Sequence, residues 1–138
     1  MKITLTNFKC WENKSFTFPD NGICLLNGKS GKGKSSILDA ILFCVSGKSG
    51  KHITTISKKH TKVSIDMDNE DNILKITRSK GPSSLFVEHT CKESGQKKIY
   101  ESEEAQCVIN RIFGSEFCNT SYIDQKIRLI THCASSLS

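Results

Sequence analysis

The chain has 138 residues, 36% hydrophobic and 25% charged, which is enough to bury one core and sets an upper bound of one modest domain or one lobe of a larger one. No apolar run approaches the roughly 20 residues that cross a bilayer, and Met1 to Thr6 alternates like a strand, unlike a secretory signal, so the sequence reads as soluble and intracellular, cytoplasmic or nuclear, with no membrane partner. The formal charge of +6 is unevenly spread: the stretch from Lys29 to Lys62 holds eight lysines against one carboxylate, Asp39. Seven scattered cysteines without a C-x-x-C pair read as reduced thiols, and His89, Cys91, His132 and Cys133 are too close and too isolated to make a four-ligand zinc site.

In chain order, Met1 to Phe8 and Ser15 to Phe18 predict strands around a turn at Trp11-Glu12-Asn13-Lys14. Pro19-Asp20-Asn21-Gly22 predicts a second turn, and the apolar run Gly22 to Asn27 a buried strand. A glycine-rich stretch, Gly28 to Ser35, follows. Lys34 to Ser46 then predicts a helix, apolar nearly all round over Ser36 to Val45, as in a core. Beyond it a polar, lysine-rich stretch leads to strands at Lys62 to Asp68, Asn72 to Ser79 and Ser84 to His89, joined by hairpin-like turns, with a short strand at Lys97 to Tyr100. Ser102 predicts a hydroxyl cap, with Glu103 and Glu104 at the positive end of a helix. Its apolar stripe is Ala105, Val108, Ile109, Ile112 and Phe113, and Gly114 stops it.

Gly28-Lys29-Ser30-Gly31-Lys32-Gly33-Lys34-Ser35 fits the pattern G-x-x-x-x-G-K-[ST] between a strand-like run and a helix, the context in which that pattern cradles phosphate. The glycines let the backbone turn its N–H groups inward at a helix N-terminus, where the dipole also favours an anion. Lys34 is placed to neutralise the β and γ phosphates and the Ser35 hydroxyl to ligate Mg²⁺, with Gly28 to Ser36 as the binding stretch. The expected ligand is a nucleoside triphosphate with Mg²⁺. A single helix followed by a meander of hairpins excludes a small nucleotide kinase, which would continue with alternating strands and helices. The later lysines, Lys48, Lys51, Lys58 and Lys59, are either a contact surface for nucleic-acid phosphates or a solvated loop.

Three parts of the chain together resemble the N-terminal lobe of the SMC, SbcC and RecF type of ATP-binding head. They are the opening Ile3-Thr4-Leu5-Thr6-Asn7-Phe8-Lys9, the segment Lys34-Ser35-Ser36-Ile37-Leu38-Asp39-Ala40-Ile41 and the distant Ser121-Tyr122-Ile123-Asp124-Gln125-Lys126. The last is similar to that family's Q-loop. Membrane-transporter ATPases share the loop and the glutamine, but the long, β-rich separation between Lys34 and Gln125 favours the SMC-like group.

The resemblance implies an α/β P-loop NTPase lobe of the ABC-type head over residues 1–127, with a mixed sheet around the P-loop helix and an antiparallel β subdomain. Residues 128–138 would begin a coiled-coil helix or a truncated tail. It implies that Gln125 reaches Mg²⁺ or the attacking water as a catalytic residue, that Lys9 lies near the nucleotide, and that Lys58 or Lys59 falls near a loop that often carries an arginine. The implied partners are a complementary C-terminal lobe, a second SMC-like head, DNA and a nuclease subunit. Hydrolysis in such heads requires a Walker B strand, a signature motif and a histidine switch, none recognisable here. Val63-Ser64-Ile65-Asp66 and Leu85-Phe86-Val87-Glu88 imitate Walker B only superficially and read as solvated hairpin strands. The implied function is ATP binding in DNA repair, recombination or chromosome organisation, with turnover awaiting the second lobe. The alternative is a non-hydrolytic interaction module.

Overall fold

The computed structural model describes residues 1–20, 22–115 and 117. Six strands form one sheet: β1 (Lys2–Phe8), β2 (Trp11–Thr17), β3 (Thr61–Asp68), β4 (Asn72–Lys80), β5 (Ser84–Cys91) and β6 (Lys97–Glu101), with helix α1 (Lys34–Ser46) between β2 and β3 and helix α2 (Ser102–Phe113) after β6. The spatial order is β2-β1-β3-β4-β5-β6, and every described pair is antiparallel. The expected mixed sheet is therefore corrected to an antiparallel one among the described residues.

Two-residue alternation sets the faces. Ile3 and Leu5 of β1, Val63 and Ile65 of β3, Leu74 and Ile76 of β4, and Leu85 and Val87 of β5 point to one side and are buried. Register places Ile3 across from Ile65, and Ile65 across from Ile76, so these side chains form a continuous apolar floor. α1 lies on β1, β3 and β4, while α2 lies on β5 and β6 and touches α1. Ile37, Ala40, Phe43, Cys44 and Val45 of α1 are buried, whereas Leu38 is 44% exposed, so the expected all-round burial of this helix is corrected to cover by the sheet and α2. Burying each large side chain contributes about 1.5–3 kcal/mol, so this layer supplies most of the stability. α1 ends at Gly47, whose left-handed φ of 73° lets its N–H reach the Phe43 carbonyl at 2.9 Å.

The opposite face of the sheet is mostly polar, with Ile73, Phe86 and Ile99 partly exposed on it. Asp66 stands across from Lys75, and Lys75 across from Glu88, with Lys97 2.9 Å from Glu88. This alternation of charge across strands is that of a solvated surface. Asp66 and Glu88 are thus ordinary outer-face carboxylates, as the sequence reading holds.

Three local expectations are corrected. Trp11 to Lys14 belongs to strand β2, and the chain reverses earlier, at Lys9 and Cys10. Ser102 does not cap α2; the N-cap is Glu101 and no side chain bonds there, while Ile112 of the predicted stripe is 51% exposed. Gly22 to Asn27 forms no strand: Ile23 is fully exposed and Leu25 is 84% exposed. A strand apolar on both faces needs neighbours along its edges and cover above and below. Neither β2 nor β6, the two edges of the sheet, pairs with it.

Candidate phosphate-binding site

The glycine-rich stretch runs directly into α1. Gly31 and Gly33 hold left-handed φ values of 77° and 86°, and Gly33 is the N-cap of the helix. No side chain caps α1 and no acid lies in its first turn. The leading N–H groups therefore lack an intrahelical acceptor and face the loop, in a positive field suited to an anion. The Lys34 ammonium folds back on the loop, donating to the Gly28 carbonyl and, at 2.8 Å, to the Lys29 carbonyl. It thereby sits inside the curl of the backbone, where it would meet phosphate oxygens.

A cavity of about 370 Å³ opens at this point. Six predicted residues line it, Ser30, Gly31, Gly33, Lys34, Ser35 and Ser36, facing Lys9 and Cys10 from the β1–β2 turn. Gly28, Lys29 and Lys32 are exposed and do not line it. A larger recess of about 450 Å³ lies at the other end of α1 around Arg78 and Gln106. Their polar groups are already used there: Arg78 Nε donates to the Cys44 carbonyl at 3.0 Å, its Nη2 to Gln106, and Gln106 Nε2 to the Val45 carbonyl at 3.0 Å. Burial lowers the pKa of Arg78 from its ordinary value. These contacts tie the end of α1 to β4 and α2, which is a structural task.

The β1–β2 turn is held against the loop by tertiary bonds. Asn7 and Lys9 adopt φ values of 51° and 50°, uncommon for side chains other than glycine. The Lys9 N–H donates to Ile53 O at 2.6 Å, the Thr55 N–H to Asn7 O at 2.9 Å and the Thr55 hydroxyl to Lys9 O at 2.9 Å. Lys9 also forms an ion pair with Asp39 on α1. The turn thereby places a cation, a thiol and the Trp11 ring beside the loop. Lys9 alone of these was legible in the sequence. Asp39 had a signal, as the sole carboxylate in a run of lysines. Trp11 and Cys10 had none, because nothing local in the sequence marks the reversal at Lys9 and Cys10.

Lys48, Lys51, Lys58 and Lys59 are all exposed. Lys48 follows the C-terminal end of α1, about 20 Å along a helix of that length from its loop end. Lys58 lies instead 4.0 Å from Glu12 on β2. The four lysines are distributed along the 47–60 segment, at both ends of α1. Gln125 and the 128–138 tail lie outside the described residues. No group of three or more His, Cys, Asp or Glu among the described residues could hold a metal ion. The Ser35 hydroxyl, exposed at the second residue of α1, fits a Mg²⁺ site whose other oxygens come from phosphate and water.

The AAA domain family matches residues 2–134. The chain belongs to that family. It is 39% identical over 129 residues to the uncharacterized protein 050L of Invertebrate iridescent virus 6, covering 91% of this chain and 12% of that protein. It is 29% identical over 103 residues to the DNA replication and repair protein RecF of Acetivibrio thermocellus, covering 75% of this chain and 26% of RecF. It is 29% identical over 135 residues to the DNA double-strand break repair Rad50 ATPase of Methanocaldococcus jannaschii, covering 90% of this chain and 13% of that ATPase. The chain thus spans 12–26% of the length of these relatives, and the resemblance to the N-terminal part of SMC-like ATPases holds over most of its own length.

Proposed function

We propose that this chain is the nucleotide-binding N-terminal lobe of an SMC-like ATPase head, a P-loop NTPase lobe of the ABC type, that acts inside the cell in DNA repair, recombination or chromosome organisation. The observation that carries this reading is the curl of Gly28 to Ser35 around the Lys34 ammonium at the uncapped N-terminus of α1. Backbone N–H groups and Lys34 bind the phosphates of ATP, and the Ser35 hydroxyl holds Mg²⁺, which when bound neutralises charge developing on the transferred phosphoryl group. The names of RecF and the Rad50 ATPase supply the DNA-repair context.

Residues 1–127 form the lobe in this reading, residues 128–138 begin a coiled-coil helix, and Gln125 acts on the attacking water. Hydrolysis needs a complementary C-terminal lobe and a second head, with DNA and a nuclease subunit as further partners. The exposure of Ile23 and Leu25 supports the second lobe, since a strand added beside Gly22 to Asn27 would cover them. The exposed positions of Lys48, Lys51, Lys58 and Lys59 suit contact with DNA phosphates.

One observation favours binding without turnover by the chain alone: the two Walker B imitations end in Asp66 and Glu88, both on the sheet face away from α1 and both near lysines. Titration of the 138-residue chain with ATP and Mg²⁺, alongside a phosphate-release assay, tests the proposal. Saturable binding with negligible release is expected. Robust release by the isolated chain would contradict the need for a second lobe, and absence of binding would contradict the phosphate-loop assignment.

A further inference from the structure

The loop that would grip phosphate is not braced by α1 alone. Gly33 is the hinge between loop and helix, and its surroundings leave no room for a side chain. A Cβ there would lie 2.7 Å from Cys10 Sγ, 2.8 Å from Trp11 Cζ2 and 3.0 Å from Trp11 Cε2. These distances are those of a backbone pressed against an indole ring and a thiol. The ring is itself immobilised: it meets Phe16 edge-on with centroids 5.2 Å apart and an interplanar angle of 77°, and it packs on the core. On either side of it, Lys9 pairs with Asp39, and Cys10 Sγ lies 4.0 Å from the Ser36 hydroxyl. The β1–β2 turn therefore touches the start of α1 at three successive residues, with Trp11 directly behind the hinge.

We propose that Trp11 is a positioning residue for phosphate binding: its ring, backed by Phe16, fixes the left-handed Gly33 hinge and so aims the leading N–H groups of α1, Lys34 and Ser35 into the cavity. The inference rests on the nucleotide-binding reading above and adds a residue that does not touch phosphate itself. Two features set this contact apart from routine packing. First, the ring abuts a glycine whose φ of 86° governs the direction of the helix start. Second, Trp11 Nε1 is buried without a hydrogen-bond partner, so the ring is held there by shape and contact and not by its polar group. A loop that shifts when Lys34 leaves the Gly28 and Lys29 carbonyls for a ligand must move against this ring.

Trp11 is the single tryptophan of the chain, which makes the contact directly observable. The experiment measures Mg-ATP affinity by filter binding of radiolabelled nucleotide for the unaltered chain and Trp11→Ala, at a temperature where circular dichroism shows both fully folded. In parallel, indole emission is followed during Mg-ATP titration of the unaltered chain and Lys34→Ala. The expected results are about tenfold weaker binding by Trp11→Ala, and an emission change that saturates with nucleotide in the unaltered chain and is missing in Lys34→Ala. Equal affinity of Trp11→Ala and the unaltered chain would overturn the proposal, as would unchanged indole emission when radiolabel shows the site filled. If Trp11→Ala fails to fold, the emission arm decides alone. Loss of radiolabel binding by the unaltered chain would instead remove the nucleotide-binding reading, and the inference with it.

Discussion

The sheet layer and the glycine-rich loop solve opposite problems. On the sheet face toward the helices, apolar side chains find cover within the chain: Ile3, Ile65, Ile76 and Val87 are all at most 1% exposed beneath α1 and α2. From Gly22 to Lys32 the same chain leaves Ile23 and Leu25 in solvent and presents backbone that is shaped but not packed. The first region is a covered core, whereas the second leaves its apolar side chains uncovered by the described residues. The difference teaches that apolar character tells where burial is intended, but not whether the covering partner lies in the same stretch of chain.

Substitutions that separate the two regions should differ most in their effect on stability. Ile76→Ala, in the centre of the sheet, should cost about 2–5 kcal/mol in denaturant unfolding, while Leu25→Ser should change stability by less than about 0.5 kcal/mol. A comparable loss at both positions would mean that Gly22 to Asn27 is part of the folded core after all.

A chemical probe sharpens the same contrast. Cys44, buried between α1 and the sheet, has its thiol pKa pushed up to about 12 by burial, while Cys10 and Cys24 are exposed. Alkylation under native conditions at neutral pH should modify Cys10 and Cys24 rapidly and leave Cys44 intact until the protein unfolds. Because the native pKa of Cys44 is raised, its contribution to stability is complete below the ordinary thiol pKa and declines as pH rises from there toward 12. Rapid native labelling of Cys44, read by mass spectrometry, would contradict a closed core.

The smallest effect lies on the polar face. The hydrogen bond from Lys97 holds Glu88 below its ordinary pKa. This pair stabilises the protein above the ordinary carboxylate range and loses its contribution as pH falls through the lowered value. Glu88→Gln should therefore slightly flatten the acid limb of the stability profile and leave neutral stability nearly unchanged, as for exposed ion pairs generally. A large neutral-pH loss would assign the outer face a partner or role beyond solvation.

Much of the sheet layer is legible in residues. Val63, Ile65 and Met67 alternate, Asp68-Asn69-Glu70-Asp71 marks a turn, and α1 is apolar around its circumference, so period and punctuation agree. The β1–β2 turn is not legible in the same way. Asn7 and Lys9 reach left-handed conformations because Ile53 and Thr55, more than forty residues away, hold them by hydrogen bonds. No local glycine announces the reversal, and so the contact of Trp11 with Gly33 is hidden. The phosphate loop is legible because its chemistry is local: glycines, lysine and serine must be consecutive to curl around one anion. Its neighbour Gly22 to Asn27 reads as a strand because it is apolar, and pairing, which decides the matter, depends on residues elsewhere.

Breaking the loop chemistry tests the central claim most directly. The decisive measurement is the affinity of the unaltered chain and Lys34→Ala for ATP in the presence of Mg²⁺, with unfolding curves showing that both are folded. The account predicts saturable binding by the unaltered chain and its loss in Lys34→Ala at nearly unchanged stability, because Lys34, the first residue of α1, is half-buried and bonds only the Gly28 and Lys29 carbonyls of the loop. Equal binding by the two proteins would contradict it, and would place the nucleotide, if anywhere, outside the Gly28 to Ser35 loop.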